Sequence, residues 1–226
     1  FILILPSKNL VTISLILLIY LVNERIKVIK DIILVWYPQL KIPTDFQVEN
    51  RTTLLGAIIL INEKQLADSF KTIIEAIGED TSREGLIKTP QRVASMYSEL
   101  FSGMHTNPDQ VLTTDFAENH NEIVVAKDVN FFSICEHHFL PFQGKADIAY
   151  VPTGRVVGAS KLVRLLEIFA KRPQIQERLT NQIADTLNRV LKPSGVGVVL
   201  QAEHMCMTMR GINKPGSQIV TSAMRG

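Results

Sequence analysis

The apolar positions divide the chain near residue 62. Before that point they run almost unbroken: 16 of residues 1–22 are apolar, and a second run covers Ile32–Tyr37 before Pro38. Beyond it they become periodic. Leu66, Phe70, Ile73, Ile74 and Ile77 recur at helical spacing, and Gly78 ends the run. Thr89-Pro90 opens a second helix, with Val93, Met96, Tyr97 and Leu100 on one face and Gly103 closing it. The stretch His105–Asn121 is polar and reads as a loop with short elements. Ile123–Phe132 and Ala146–Val151 are rich in β-branched and aromatic residues and predict strands, with Gln143-Gly144 as a turn or bulge between them. Ser160 is the expected N-cap of a helix reaching about Lys171. Pro173 opens another, striped by Ile175, Leu179, Ile183 and Leu187. Pro193-Ser194-Gly195 breaks it, and Val196–Cys206 and Gln218–Ser222 predict two further strands. The expected class is α+β: an antiparallel sheet with helices packed on one face, preceded by N-terminal helices. The expected organisation is an apolar extension over 1–61, an N-terminal helical region over 62–120 and a catalytic region over 121–226.

The extension carries no cluster of catalytic side chains. Its uncharged stretch Leu10–Val22 has 13 residues, against the roughly 20 that span a bilayer. Counted from Phe1 it is long enough, but Pro6, Lys8 and Asn9 interrupt it. The first residue is Phe, not Met, and three readings compete: a membrane anchor, a targeting segment, or translated non-coding sequence. Membrane contact through residues 1–22 is the lesser expectation. Formal net charge is +2, all of it in residues 1–61, which hold six Lys/Arg against four Asp/Glu; residues 62–226 carry 18 of each sign. That balance argues against a globally basic nucleic-acid binder and leaves room for a local anion site. Two cysteines exclude a disulfide scaffold.

Both cysteines and three of the five histidines fall in two short segments, Cys135-Glu136-His137-His138 and His204-Met205-Cys206. Cys135 and His138 have C-x-x-H spacing, which lets two ligands from one turn reach one metal. His204 and Cys206 lie two apart, so on a strand they share a face with Val196, Val198, Leu200 and Ala202. A disulfide between the cysteines is one use of this set, but the local histidines favour metal, and mixed thiolate and imidazole ligands suit Zn²⁺. Two Cys and two His would make a closed structural site. Two Cys and one His would leave a fourth position open, as in catalytic zinc centres, and the spare histidines would serve as acid–base groups. Five candidates for three or four places favour the catalytic version.

Two further constellations accompany it. Ser160-Lys161-x-x-Arg164 stands at a helix start, where free N–H groups, the helix dipole and two cations on one face suit phosphate. Arg210 and Lys214 could add to it. Neither a P-loop nor a G-x-G-x-x-G pattern occurs. Gln174-x-Gln176-Glu177 opens the next helix; a carboxylate beside an amide can read a purine edge, although a Glu there also simply favours the dipole.

At these residues the chain resembles the GTP cyclohydrolase I family, zinc enzymes that open GTP to 7,8-dihydroneopterin triphosphate. The resemblance runs from about Gly78 to Gly226 and rests on GEDTSREGLIKTPQRVA, FFSICEHHFLPFQGKA, VVGASKLVRLLEIFAKRPQIQERLT and AEHMCMTMRG. It implies a tunnelling fold (T-fold), a homodecamer with sites between subunits, GTP as substrate and a cytoplasmic location. It further implies Cys135, His138 and Cys206 as Zn²⁺ ligands and His137 and His204 as acid–base histidines. Ser160, Lys161, Arg164, Arg210 and Arg92 match positions on the ribose–triphosphate part. Gln176 and Glu177 match the pair near ribose and guanine, with Glu177 the purine anchor and Ser160 and Gln176 steering later proton transfers. The sequence departs from the family pattern at Ser95, Ala159 and Asp147, which stand where Lys, a branched apolar residue and His are common. It also ends at Gly226, ahead of the family's usual C-terminal strand and tail.

Overall fold

The computed structural model describes residues 61–226. The expectations for the apolar runs within residues 1–60 lie outside them. Among the described residues no helix is long and apolar enough to cross a membrane.

Two helices come first, α1 (Glu63–Ala76) and α2 (Thr89–Leu100). Asn62 caps α1 by accepting the Gln65 N–H at 3.0 Å. Gly78, at φ +87°, supplies the left-handed residue that ends it. The apolar stripe of α1 is only partly used: Ile74 is buried, whereas Ile73 and Ile77 face solvent. α2 ends at Leu100, three residues ahead of Gly103, which has another task. A Cβ there would stand 2.1 Å from the Ile168 carbonyl oxygen, so only glycine allows this close approach.

Two short 3₁₀ turns lead to β1 (Asp115–Ala117), followed by β2 (Val124–Cys135), β3 (Pro141–Val151) and β4 (Arg155–Val157). Next come α3 (Ala159–Ala170), β5 (Pro173–Gln174), α4 (Gln176–Leu191), β6 (Gly195–His204), the single turn α5 (Met205–Thr208) and β7 (Gln218–Arg225). β1 and β4 form a small antiparallel pair. The main sheet has the order β5-β2-β3-β6-β7; all its pairings are antiparallel except the two-residue edge β5, which runs parallel to β2.

Alternation along the strands sends one face to α3 and α4. Ala146, Ile148 and Tyr150 of β3 and Val198, Leu200 and Ala202 of β6 meet Leu162, Leu165 and Leu166 of α3 and Leu179, Ile183 and Leu187 of α4. The three α4 residues are 0% exposed, and each contributes roughly 2 kcal/mol by leaving water. This is the α+β, one-face arrangement expected of a tunnelling fold.

Several local expectations are corrected. Gln143-Gly144 is not a turn; both residues lie inside β3, paired with Phe132 and Phe131. Glycine is needed there because a Cβ would sit 1.9 Å from the Gln201 carbonyl oxygen of β6. The bulge lies at Lys127-Asp128, where Asp128 adopts φ +55° and donates its N–H to Asp147 Oδ1 at 2.8 Å. The N-cap of α3 is Gly158, with Ser160 inside the first turn. Pro173 belongs to β5, and α4 begins at Gln176 because Ile175 is still extended. β6 stops at His204, so Cys206 lies in α5 and not on the strand.

Candidate metal and catalytic site

The turn from β2 to β3 is Glu136–Leu140, bounded by the buried Cys135. Two backbone bonds close it: Phe139 N–H to the Cys135 carbonyl and Cys135 N–H to the Leu140 carbonyl, both 2.9 Å. His138 leaves this turn into solvent. Because β3 pairs with β6, Phe142 opposite His204, the end of β6 and α5 arrive beside the turn. The Cys135, His138 and Cys206 donor atoms all lie within 4.8 Å of one another. Tetrahedral zinc with these ligands sets donors about 3.5–3.8 Å apart, so a small closure fits the group. The thiols point the same way. Burial, then the adjacent Cys135, push the Cys206 thiol above its ordinary value, with Arg210 pulling weakly against them. A bound cation is what lets two neighbouring thiols ionise together.

His137 stands outside the triad but close to it, its Nδ1 3.7 Å from Cys135 Sγ. His204 is held on two sides. Its ring lies flat on Phe142, with centroids 4.5 Å apart and planes within 3°. Its Nε2 is 2.8 Å from Gln176 Oε1. Burial lowers its basicity below the usual imidazole value, opposed by the charge of Glu177.

The Gln176 amide decides the His204 proton. Its Nε2 donates to the carbonyls of Leu200 (3.0 Å) and Ile219 (2.9 Å) and to Thr221 Oγ1 (3.1 Å). Carbonyls only accept, so the NH₂ group must face them and Oε1 must face His204. The hydroxyls agree: Thr180 Oγ1 donates to the Gln176 carbonyl at 2.7 Å, which leaves Thr221 Oγ1, also 2.7 Å away, to donate to Thr180. The chain Gln176 side chain, Thr221, Thr180, Gln176 carbonyl thus closes on itself. Oε1 can only accept, so neutral His204 carries its proton on Nε2 and its basic lone pair on Nδ1.

The other predicted residues divide. Glu177 is exposed on the first turn of α4, near enough to His204 to act on it, and Arg210 is near enough to act on Cys206. Ser160 and Lys161 stand in the first turn of α3 and Arg164 near its middle. α3 starts beside Val157, whose N–H bonds the Tyr150 hydroxyl, and ends where its Ala170 carbonyl accepts from Ser133, two residues before Cys135. Measured as rise along α3 to Ala170, Ser160 and Lys161 therefore stand roughly 14–15 Å back and Arg164 roughly 9 Å back. Arg92 is exposed on α2 and no side-chain hydrogen bond ties it to the turn.

Sequence reading missed three supports. Phe142 forms the floor under His204. Arg178 grips Glu136 with two bonds of 2.5 and 2.9 Å and holds its carboxyl below the usual range. Glu136 N–H also bonds the Gln174 carbonyl at 2.9 Å, tying the turn to β5. The alternation of β3 could have found Phe142; no local signal pairs residues 42 apart.

Comparison with known proteins matches this arrangement to one family. The sequence model described as GTP cyclohydrolase I matches residues 66–226. A GTP cyclohydrolase 1 of Clostridium kluyveri is 56% identical over 166 residues, covering 74% of this chain and 90% of that protein. That of Bacillus subtilis is 55% identical over 167 residues, covering 74% and 88%. That of Pelotomaculum thermopropionicum is 56% identical over 168 residues, covering 74% and 89%. The matched span contains the metal turn, α3, α4, β6 and α5, and the chain belongs to the GTP cyclohydrolase I family.

Proposed function

We propose that this chain opens the guanine ring of GTP with water, releases formate and yields 7,8-dihydroneopterin triphosphate, the first step toward tetrahydrofolate and other pterins. The observation that carries the reading is the convergence of Cys135, His138 and Cys206 within 4.8 Å beside two further histidines, in a chain 55–56% identical to proteins named for this activity.

Cys135, His138 and Cys206 are the residues that would hold Zn²⁺, which when bound polarises water and makes it a nucleophile near neutral pH. The chain's own groups do the rest. Burial favours the neutral form of His204, which takes and returns protons at Nδ1 because Gln176 occupies Nε2. His137, beside Cys135, is the second proton carrier. Glu177, one residue beyond the buried amide, accepts N–H groups of the purine edge. Ser160, Lys161, Arg164, Arg210 and Arg92 take the ribose–triphosphate, which is a handle and is not cleaved. Its binding energy positions the base at the metal.

The offset along α3, roughly 9 Å for Arg164 and 14–15 Å for Lys161 and Ser160, supports the quaternary form that the resemblance implies. One chain presents the metal half-site at one end of α3, Ser160 and Lys161 at the other and Arg164 near its middle. A complete site then combines the metal half of one copy with the phosphate half of another, in a homo-oligomer for which we adopt the decamer that the resemblance implies. Two adjacent free thiols suit a reducing compartment, in keeping with a cytoplasmic location.

The test is a GTP turnover assay on the full chain, following formate and the fluorescent oxidised pterin, with zinc content measured in parallel and a chelator control. Zinc-dependent formation of both products is expected. Stoichiometric zinc with neither product, in an assembled protein, would overturn the reading.

A further inference from the structure

We propose that α2 holds the metal turn in place through Phe139, which makes the helical hairpin α1–α2 a positioning element for Cys135 and His138. This rests on the reading of Cys135, His138 and Cys206 as metal ligands. Phe139 follows His138 directly and adopts φ +52°, a conformation in which a bulky side chain is unfavourable and glycine is at ease. Nevertheless its ring is not idle. It meets Phe101 edge-on at a centroid distance of 5.7 Å and Tyr97 at 6.4 Å. Tyr97 and Phe101 are themselves stacked, 5.3 Å apart with planes within 5°, and Phe70 of α1 backs Tyr97 at 5.5 Å.

This aromatic shelf is anchored to the rest of the fold. Just past α2, Gly103 N–H bonds the Lys171 carbonyl at 3.1 Å. Arg172 donates back to the carbonyls of Gly103 (2.9 Å) and Thr106 (3.0 Å). The shelf therefore sits at the C-terminal end of α3, level with the end of β2. Phe139 carries that anchorage into the turn, because its N–H holds the Cys135 carbonyl at 2.9 Å. A shift of Phe139 moves His138 through the chain and Cys135 through that bond. A left-handed aromatic that touches a fixed shelf on one side and both turn ligands on the other is placed to set the distance between those ligands.

Substitutions separate the ring from the backbone. Phe139→Gly keeps the left-handed turn without strain and removes the ring; Phe139→Tyr keeps the ring on a side chain that is half exposed; Phe101→Ala removes the shelf and leaves the turn untouched. Metal affinity is measured on the full chain by zinc competition with a chelator, alongside kcat, KM for GTP and the thermal midpoint. For Phe139→Gly and Phe101→Ala we expect zinc affinity and kcat each to fall about tenfold, the scale of lost outer-shell support, with KM within about twofold. The double variant should lose no more than either single one, because both cut the same link. Phe139→Tyr should match the parent. Val196→Ala, which opens the core at the end of β6 remote from His204 and leaves the hairpin and Phe139 in place, should lower the thermal midpoint and leave zinc affinity unchanged. Zinc affinity and kcat within twofold of the parent in Phe139→Gly, or losses that simply add in the double variant, would overturn the proposal. A parent chain that binds no zinc would overturn the ligand reading beneath it.

Discussion

Gln176→Met tests the buried amide that orients His204. Gln176 is 1% exposed and makes four side-chain contacts: three from Nε2 to Leu200, Ile219 and Thr221, and one from Oε1 to His204. Methionine has similar volume and reach, so little cavity forms, but the Leu200 and Ile219 carbonyls and His204 each lose a polar partner, while Thr221 keeps Thr180. The NH₂ group has two hydrogens to share among its three contacts, so three bonds are lost in all; at about 1 kcal/mol each, and with roughly 1 kcal/mol returned by the added apolar burial, the variant should be about 2 kcal/mol less stable. Urea unfolding at one fixed protein concentration reads this as a lower midpoint with unchanged slope. The same change frees the His204 ring to rotate and to carry its proton on either nitrogen. If His204 works at Nδ1, kcat should fall by about 100-fold, the low end of what positioned acid–base groups contribute, while KM stays within about threefold. Gln176→Glu gives a sharper contrast. It keeps the acceptor for His204 but sets an oxygen against two carbonyls, so it should lose as much stability and less kcat. A stability loss under about 1 kcal/mol in Gln176→Met, with kcat intact, would refute the network and the proton placement derived from it.

Three further outcomes are expected. Cys206→Ser should lower both zinc stoichiometry and turnover, whereas His204→Ala should keep zinc and lose turnover; metal analysis beside the formate assay distinguishes them. Lys161→Ala and Cys206→Ser, each weak alone, should regain about a quarter of parental activity when co-expressed in equal amounts, as random pairing of half-sites requires; no regain would place both halves in one chain. Glu136, held low by Arg178, binds its proton less readily folded than unfolded, so the pair contributes stability above about pH 4.5 that is lost as pH falls through and below that value. Glu136→Gln should flatten that acid limb in a pH series of thermal midpoints.

Much of this was readable in the sequence where one physical cause acts locally. The α4 stripe predicted burial because 3.6-residue spacing permits little else, and Leu179, Ile183 and Leu187 are wholly buried. Residue type alone narrowed the candidate metal donors to five, since two cysteines and three histidines in two short segments have few other uses; the set Cys135, His138 and Cys206 came from the family resemblance, and the fold brings those three within 4.8 Å. Punctuation residues misled where one residue type serves two purposes. Gly144 reads as a turn, but it is glycine because β6 passes too close for a Cβ. The spacing of His204 and Cys206 suits a strand, but the chain turns into α5 between them. What sequence could not supply was long-range pairing. Gln176 meets carbonyls 24 and 43 residues away, and its part in holding His204 exists only once β6 and β7 lie beside α4.

The two ends of α3 carry different kinds of information. Its C-terminal end is tied down: Ser133 bonds Ala170, Gln174 Nε2 bonds the Phe169 carbonyl at 2.9 Å, and Gly103 bonds Lys171. Those bonds fix the metal turn and the shelf beside it. At its N-terminal end Leu162 is buried while Ser160 and Arg164 face out. In the proposed reading Ser160, Lys161 and Arg164 take the phosphates, from roughly 9 to 15 Å along the helix ahead of Ala170. A lysine side chain extends only about 6 Å, so Lys161 does not reach the turn by itself from roughly 14 Å back, and a ligand or a second copy spans the rest. In the proposed intersubunit reading, one GTP touches both ends when the α3 start of a second copy faces the first copy's metal turn. Assembly would then be a condition of chemistry, and variants that weaken the contact between copies should lose kcat before they lose zinc.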